Sequence, residues 1–411
     1  MRKRALCLPF LAAMLMLSTG LATSGMRAPS GESLTKILQA RLDAFTASRA
    51  VPGVTFSLRR ADGTNISLAS GLADMEQGSP MMPDTVMFSG SVGKTYAAAV
   101  ILKLHEQGRV DLHARAADYL QDEAWFPRIA NAGEITVEML LNHTAGIPEY
   151  VYKKEIWQEL RRNPDRAWSV GERLSFIAAD PPPHPAGKGW AYADSHYLIL
   201  GLIIEKVTGR SYYDVLHEMV LKPCRLDRTR PADRRVLPGL AAGYTRLSED
   251  LLLPRKVSGN GAYAFNPQLE WTGGGLVTTV SDLTSWARQL YGGAVLKPAT
   301  KKRMLTPAPF PTPLSEKAGY GLGTFIGENS GIAYYGHTGF VPGFVTILQY
   351  VPRCGLALAL QVNTDDLRGD DSLLRLFNDL KHIALEQEPG GRSDAERART
   401  PWSCCAETAK E

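Results

Sequence analysis

Apolar residues at Leu34, Ile37, Leu38, Leu42 and Phe45 recur at helical spacing behind Ser33, a good N-cap residue, and predict an amphipathic helix. Val54 to Leu58 and Ile66 to Ala69 read as two strands joined by a turn containing Asp62-Gly63. Thr95 to Leu104 is rich in helix formers and reaches Gly108 as a stop. From about Ala116 to Asn260 the pattern is mostly helical and broken by prolines; the run Pro181-Pro182-Pro183-His184-Pro185 must be extended. Strand patterns return at Gly331 to Tyr335, Val345 to Tyr350 and Leu356 to Val362. Leu373, Leu376, Phe377, Leu380 and Ile383 then predict a last amphipathic helix. This order predicts an α+β fold: an antiparallel sheet built from both chain ends, flanked by helices, with a mainly helical region inserted over about 116–260.

The ends of the chain differ from its body. Met1-Arg2-Lys3-Arg4 is basic, Ala5 to Leu17 is apolar, and small residues follow at Gly20-Leu21-Ala22. A secretory signal peptide is expected over 1–22, then a linker over 23–32, with the protein exported to a periplasm or secreted. The apolar run falls short of the roughly 20 residues that span a bilayer, so no stable membrane span is expected after cleavage. Residues 386–411 form a polar tail, expected to be disordered. Loss of Arg2, Lys3 and Arg4 takes the formal charge from +4 to +1, which leaves no electrostatic reason to seek nucleic acid. Cys224 and Cys354 could pair in an oxidising compartment or remain separate thiols, while Cys404 and Cys405 lie in the polar tail. None of the eight histidines falls into H-E-x-x-H or a comparable ligand spacing, so neither a metal nor another cofactor is expected.

Candidate chemistry starts at Phe88-Ser89-Gly90-Ser91-Val92-Gly93-Lys94-Thr95, which ends like a phosphate-binding loop. The first glycine of such a loop would fall on Phe88, so that reading fails. Ser89 likewise occupies the first glycine position of a G-x-S-x-G elbow, which disfavours an α/β-hydrolase. Ser91 and Lys94 instead lie three residues apart on one helix face, a hydroxyl beside an amine. This is also an S-x-x-K motif, weak alone because Ser91 could simply be an N-cap.

Further stretches add to it: Trp190-Ala191-Tyr192-Ala193-Asp194, Tyr335-Gly336-His337-Thr338-Gly339-Phe340, Leu140-Leu141-Asn142-His143-Thr144-Ala145-Gly146, and Trp271 to Thr279 followed by Asp282. In this order they resemble the serine β-lactamase superfamily, in the branch of class C β-lactamases, D-alanyl-D-alanine carboxypeptidases and related esterases, from about residue 33 to 385. The resemblance implies a β-lactamase/transpeptidase-like catalytic domain, with Ser91 as the nucleophile of an acyl-enzyme and either Lys94 or Tyr192 as principal base. It further implies a catalytic third motif at His337, oxyanion donors at the Ser91 and Phe340 amides, and substrate contacts at Asp194, Thr338 and Gly339. Gly339 is expected to let the strand approach the substrate closely.

Two departures bear on the substrate. His337 stands where class C β-lactamases have lysine, and is less reliably cationic. Asp194 replaces a common asparagine, and a carboxylate can only accept hydrogen bonds unless protonated. The expected activity is an exported serine hydrolase acting on D-Ala-D-Ala-type peptides or β-lactams, with an esterase or a noncatalytic penicillin-binding sensor as alternatives. The implied partner is a small-molecule or peptide substrate. His143 with Thr144 reads as a hydrogen-bonding pair supporting the site and His196 as structural, while Trp190 and Tyr335 fit either a cleft or a core.

Overall fold

In the computed structural model, which describes residues 33–48, 51–312, 318–329, 331–367 and 372–387, both chain ends contribute to one sheet. The expected leader, linker and nearly all of the tail lie outside the described residues. The elements that place the site are α1 (Leu34–Ser48), β1 (Gly53–Arg59), β2 (Asn65–Asp74), α2 (Gly93–Glu106), α3 (Asp194–Thr208), β3 (Phe325–Asn329), β4 (Ile332–Val341), β5 (Phe344–Val351), β6 (Leu356–Val362) and α4 (Ser372–Glu386). The sheet has eight strands, and all its pairings are antiparallel. Its order is Ser79–Pro80, β2, β1, β6, β5, β4, β3, Gly319–Tyr320. The first and last long strands in sequence meet at its centre, where Val54 of β1 faces Val362 of β6.

β6 shows how alternation builds two layers. Leu356, Leu358, Leu360 and Val362 enter one core with Leu38 and Leu42 of α1 and Leu376, Phe377 and Leu380 of α4. Ala357 and Ala359 enter the other, against the helix Val280–Ala287. Successive side chains of a strand point to opposite faces, so large residues fill one side while small ones let a helix lie close on the other. Each fully buried leucine contributes about 1.5–3 kcal/mol. Gln361 interrupts the series for a local reason: fully buried, it donates to the Phe88 carbonyl (3.1 Å), which Thr346 Oγ1 also reaches (2.9 Å). These two polar side chains tie the sheet to the segment that leads into Ser91.

Three expectations change. β4 runs on to Val341, beyond Tyr335 where the strand pattern stopped. β3 and Gly319–Tyr320 were not anticipated, because the glycine and charge in Phe325-Ile326-Gly327-Glu328-Asn329 mask its alternation. The helical character of the middle region ends near Leu221; beyond it Pro223, Pro231, Pro238 and Pro254 leave turns and two-residue strands. Cys224 and Cys354 are both thiols. Among the described residues, no helix is long and apolar enough to cross a membrane.

Candidate active site

Ser91 lies in a single 3₁₀ turn, Gly90–Val92, that leads directly into α2, and Lys94 occupies the first turn of that helix. Both are buried, Lys94 completely. Lys94 Nζ donates to Ser91 Oγ (3.0 Å), to the Gly273 carbonyl (2.6 Å) and to Asp194 Oδ1. An ammonium has three protons, and each has an acceptor here.

The Ser91 turn packs directly on β4, which is possible because β3 pairs with β4 only as far as Gly336. Gly90 takes φ +50°, and a Cβ there would stand 2.5 Å from the Phe340 nitrogen. A Cβ on Gly339 would stand 1.9 Å from the Ser89 carbonyl oxygen. The missing side chain of Gly339 thus admits the Ser89 backbone. The same contact brings the Phe340 amide next to the residue before Ser91. Gly90→Ala is expected to lower stability by about 1–3 kcal/mol, from φ strain and the clash with β4, and to slow turnover together with it. Denaturant unfolding and steady-state rates on one preparation check this.

Tyr192 precedes α3, and Lys94 Nζ sits 4.9 Å from its ring centroid. Its hydroxyl is buried and completes no hydrogen bond. Burial raises the phenol well above its ordinary pKa, Asp194, Glu149 and Glu270 add to the rise, and the neighbouring Ser91 hydroxyl opposes it. Asp194, expected to meet substrate, instead has its carboxylate on Lys94, while its backbone N–H donates to Glu149 Oε2. Glu149 also accepts from the Val151 amide (3.2 Å); burial and then Asp194 push its carboxyl well above the usual range. Burial, followed by Asp194, pushes Glu270 up to about 8 against the pull of Lys94 and Arg173. Glu149 and Glu270 carried no sequence signal, being single acidic residues in irregular segments.

His337 lies buried on β4 beside Tyr320. Its Nδ1 lies 2.6 Å from the Thr338 carbonyl, which can only accept, so Nδ1 carries the proton and Nε2 accepts from Tyr320 Oη at 3.0 Å. Burial, and secondarily Lys94, hold the imidazole down to about 3. It is a neutral, buried group packed on Phe325 and Tyr320, and its two hydrogen bonds go to the Thr338 carbonyl and to Tyr320. Thr338 and Phe340 are half-buried on β4.

Trp190 joins an aromatic group with Tyr192, Tyr320 and His143, whereas Tyr335 packs on Tyr291, within the larger core. The supposed pairing of His143 with Thr144 does not form. Thr144 Oγ1 donates to Asn142 Oδ1 (2.7 Å), and His143 bonds His196 instead. Among the described residues no group of three or more His, Cys, Asp or Glu side chains could hold a metal ion.

The family model for Beta-lactamase matches residues 38–381. The chain belongs to that family. Among curated relatives, penicillin-binding protein 4 of Amycolatopsis lactamdurans is 27% identical over 339 residues, covering 79% of this chain and 84% of that protein. Esterase EstB of Burkholderia gladioli is 28% identical over 198 residues, covering 46% of this chain and 50% of the esterase. Among solved structures, a D-stereospecific amidohydrolase from Streptomyces sp. superimposes with a TM-score of 0.70 at 26% identity, covering 87% of this chain and 99% of that one. The fold is thus the β-lactamase/transpeptidase-like one, and the protein is a serine hydrolase of this family with esterase and amidase relatives.

Proposed function

We propose that the protein is an exported acyl-transfer hydrolase that forms a covalent acyl-enzyme on Ser91 from amides and peptides of D-amino acids, D-alanyl-D-alanine ends among them. The observation that carries this reading is the Lys94 ammonium donating to Ser91 Oγ inside a buried site that also contains the Tyr192 phenol. Ser91 Oγ accepts from Lys94, which leaves its own proton free to go elsewhere. On attack, the serine oxygen bonds the carbonyl carbon and its proton leaves to the Lys94–Tyr192 pair once that pair has lost one of its own. The carbonyl oxygen takes the electron pair and is held by the Ser91 and Phe340 amides, each worth about 3 kcal/mol in comparable enzymes. The pair then protonates the leaving amine, and water repeats the sequence on the ester.

The carboxyl groups of Asp194, Glu149 and Glu270 lie around this centre, and burial, then repulsion from Asp194, raises the last two. A substrate carrying an ammonium beside the scissile carbonyl would favour the ionised forms of these groups and lower the Tyr192 phenol toward a usable base. The amidohydrolase relative supports an amide substrate, and the neutral His337 offers no cation for a substrate carboxylate, which ranks amino-acid amides ahead of D-alanyl-D-alanine ends and β-lactams. Intact-mass spectrometry with D-phenylalanine amide, acyl-D-Ala-D-Ala, p-nitrophenyl esters and a penicillin tests the reading. It expects a transient adduct and product from the amide or peptide, and it fails if only the esters turn over. In that case the second reading, an esterase supported by the EstB relative, takes its place.

Asp194→Asn is expected to erode a preference for the free-amine amide over its N-acetyl form by about tenfold. It should also move the rising limb of kcat/KM to lower pH, since Asp194 raises the Tyr192 phenol. An unchanged limb in a pH–rate series would remove Asp194 from the proton step.

A further inference from the structure

Tyr192 stands outside any helix or strand, so something else must fix its ring beside Ser91 and Lys94. The contacts around it converge on one residue, His143, which is fully buried and about fifty positions earlier in the chain. The Ala191 amide donates to the His143 carbonyl (3.0 Å), and the Ala193 amide donates to His143 Nδ1 (3.3 Å). The residues on both sides of Tyr192 are thereby tied to the same partner. Between those two bonds the His143 ring lies against the Tyr192 ring, with centroids 4.2 Å apart at 37°.

His143 is itself over-determined. Its backbone takes φ +64°, a conformation that costs a residue with a Cβ about 1–3 kcal/mol and persists only where surroundings enforce it. His143 Nδ1 lies 2.9 Å from His196 Nδ1, and His196 Nε2 accepts from the Ile147 amide (3.3 Å). The Ile147 bond makes Nε2 of His196 the acceptor, so its proton is on Nδ1 and points at His143. His143 Nδ1 then accepts from His196 and from Ala193, and its own proton is on Nε2, which is buried without a partner. Both imidazoles must be neutral for this chain of bonds to exist, and burial holds them so.

We propose that His143, set by His196, is the positioning residue for Tyr192: it fixes the phenol in register with Ser91 and Lys94 by gripping the backbone on either side of it and walling one face of its ring. The inference rests on the reading above, in which Tyr192 takes part in proton transfer. His143 touches no reacting atom, and its effect passes wholly through Tyr192.

A double-mutant cycle with His143→Ala and Tyr192→Phe, read as the rate of Ser91 acylation by a fluorophosphonate, tests this. A misplacement of about an ångström costs on the order of 10²-fold, which is the loss expected for His143→Ala in wild-type background, with KM for an ester substrate held within about twofold. In the Tyr192→Phe background the same change is expected to cost less than about threefold, because the group it positions is already gone. His143→Asn retains an oxygen that can accept from Ala193 and tolerates a left-handed backbone, so it should recover a large part of the rate. It also serves if the alanine variant does not fold. Equal losses in both backgrounds, or no recovery with asparagine in a folded protein, would show a general structural role and overturn the proposal. Tyr192→Phe at the full wild-type rate would overturn both the proposal and the role of Tyr192. A slow Tyr192→Phe beside a His143→Ala of wild-type rate would remove the positioning role alone.

Discussion

Lys94→Met is expected to cost activity on the order of 10³-fold and stability about 3 kcal/mol, the two losses having different origins. Lys94 is fully buried, and its ammonium is the cation in contact with Asp194. Removing one partner of a buried pair leaves the other as an uncompensated charge, which costs more than the pair itself contributes. The rate loss has a separate cause: Ser91 Oγ no longer receives the Nζ proton, and the proton-accepting pair is broken. The double variant Lys94→Met/Asp194→Asn separates the two. It should regain most of the stability, because neither partner is then charged, while remaining inactive. Urea unfolding and steady-state rates for the wild type, the two single variants and the double variant decide it. A double variant as unstable as Lys94→Met would mean that the ion pair does not carry the stability.

Ser91→Ala is expected to lower turnover on the order of 10⁵-fold, with little change in melting temperature. The hydroxyl accepts one hydrogen bond, from Lys94, whose other two protons keep Asp194 and Gly273 as acceptors. Its loss leaves one Nζ proton of Lys94 without an acceptor while the other two keep theirs, a small cost beside that of removing Lys94 itself. A folded Ser91→Ala protein with a rate within tenfold of wild type would place the nucleophile elsewhere.

The parts of the fold legible in the sequence are those set by local periodicity. The leucine and alanine alternation of β6 and the apolar stripes of α1 and α4 lie within single segments, and so does the three-residue spacing that puts Lys94 beneath Ser91. What escaped depends on segments far apart in the chain. Asp194 looked like a substrate contact because nothing in its own segment shows that Lys94, a hundred positions earlier, takes its carboxylate. His337 looked chargeable because its exposure to water is decided by Tyr320 and Phe325, on strands the pattern hid. Gly339 was assigned close backbone approach, but that one neighbour is the Ser89 carbonyl could not be read from its own segment. Gln361 broke an apolar alternation, a visible signal, yet its meaning needed the Phe88 carbonyl opposite it.

The central claim is that one hydroxyl, the one beside the Lys94 ammonium, becomes acylated. Peptide mapping by tandem mass spectrometry, after quenching the protein in mid-turnover with a D-amino-acid amide or labelling it with a fluorophosphonate, reads that atom directly. The account predicts a single adduct on the peptide containing Ser91, absent from the Ser91→Ala protein. An adduct on any other residue, or turnover that proceeds with no adduct at all, would contradict it.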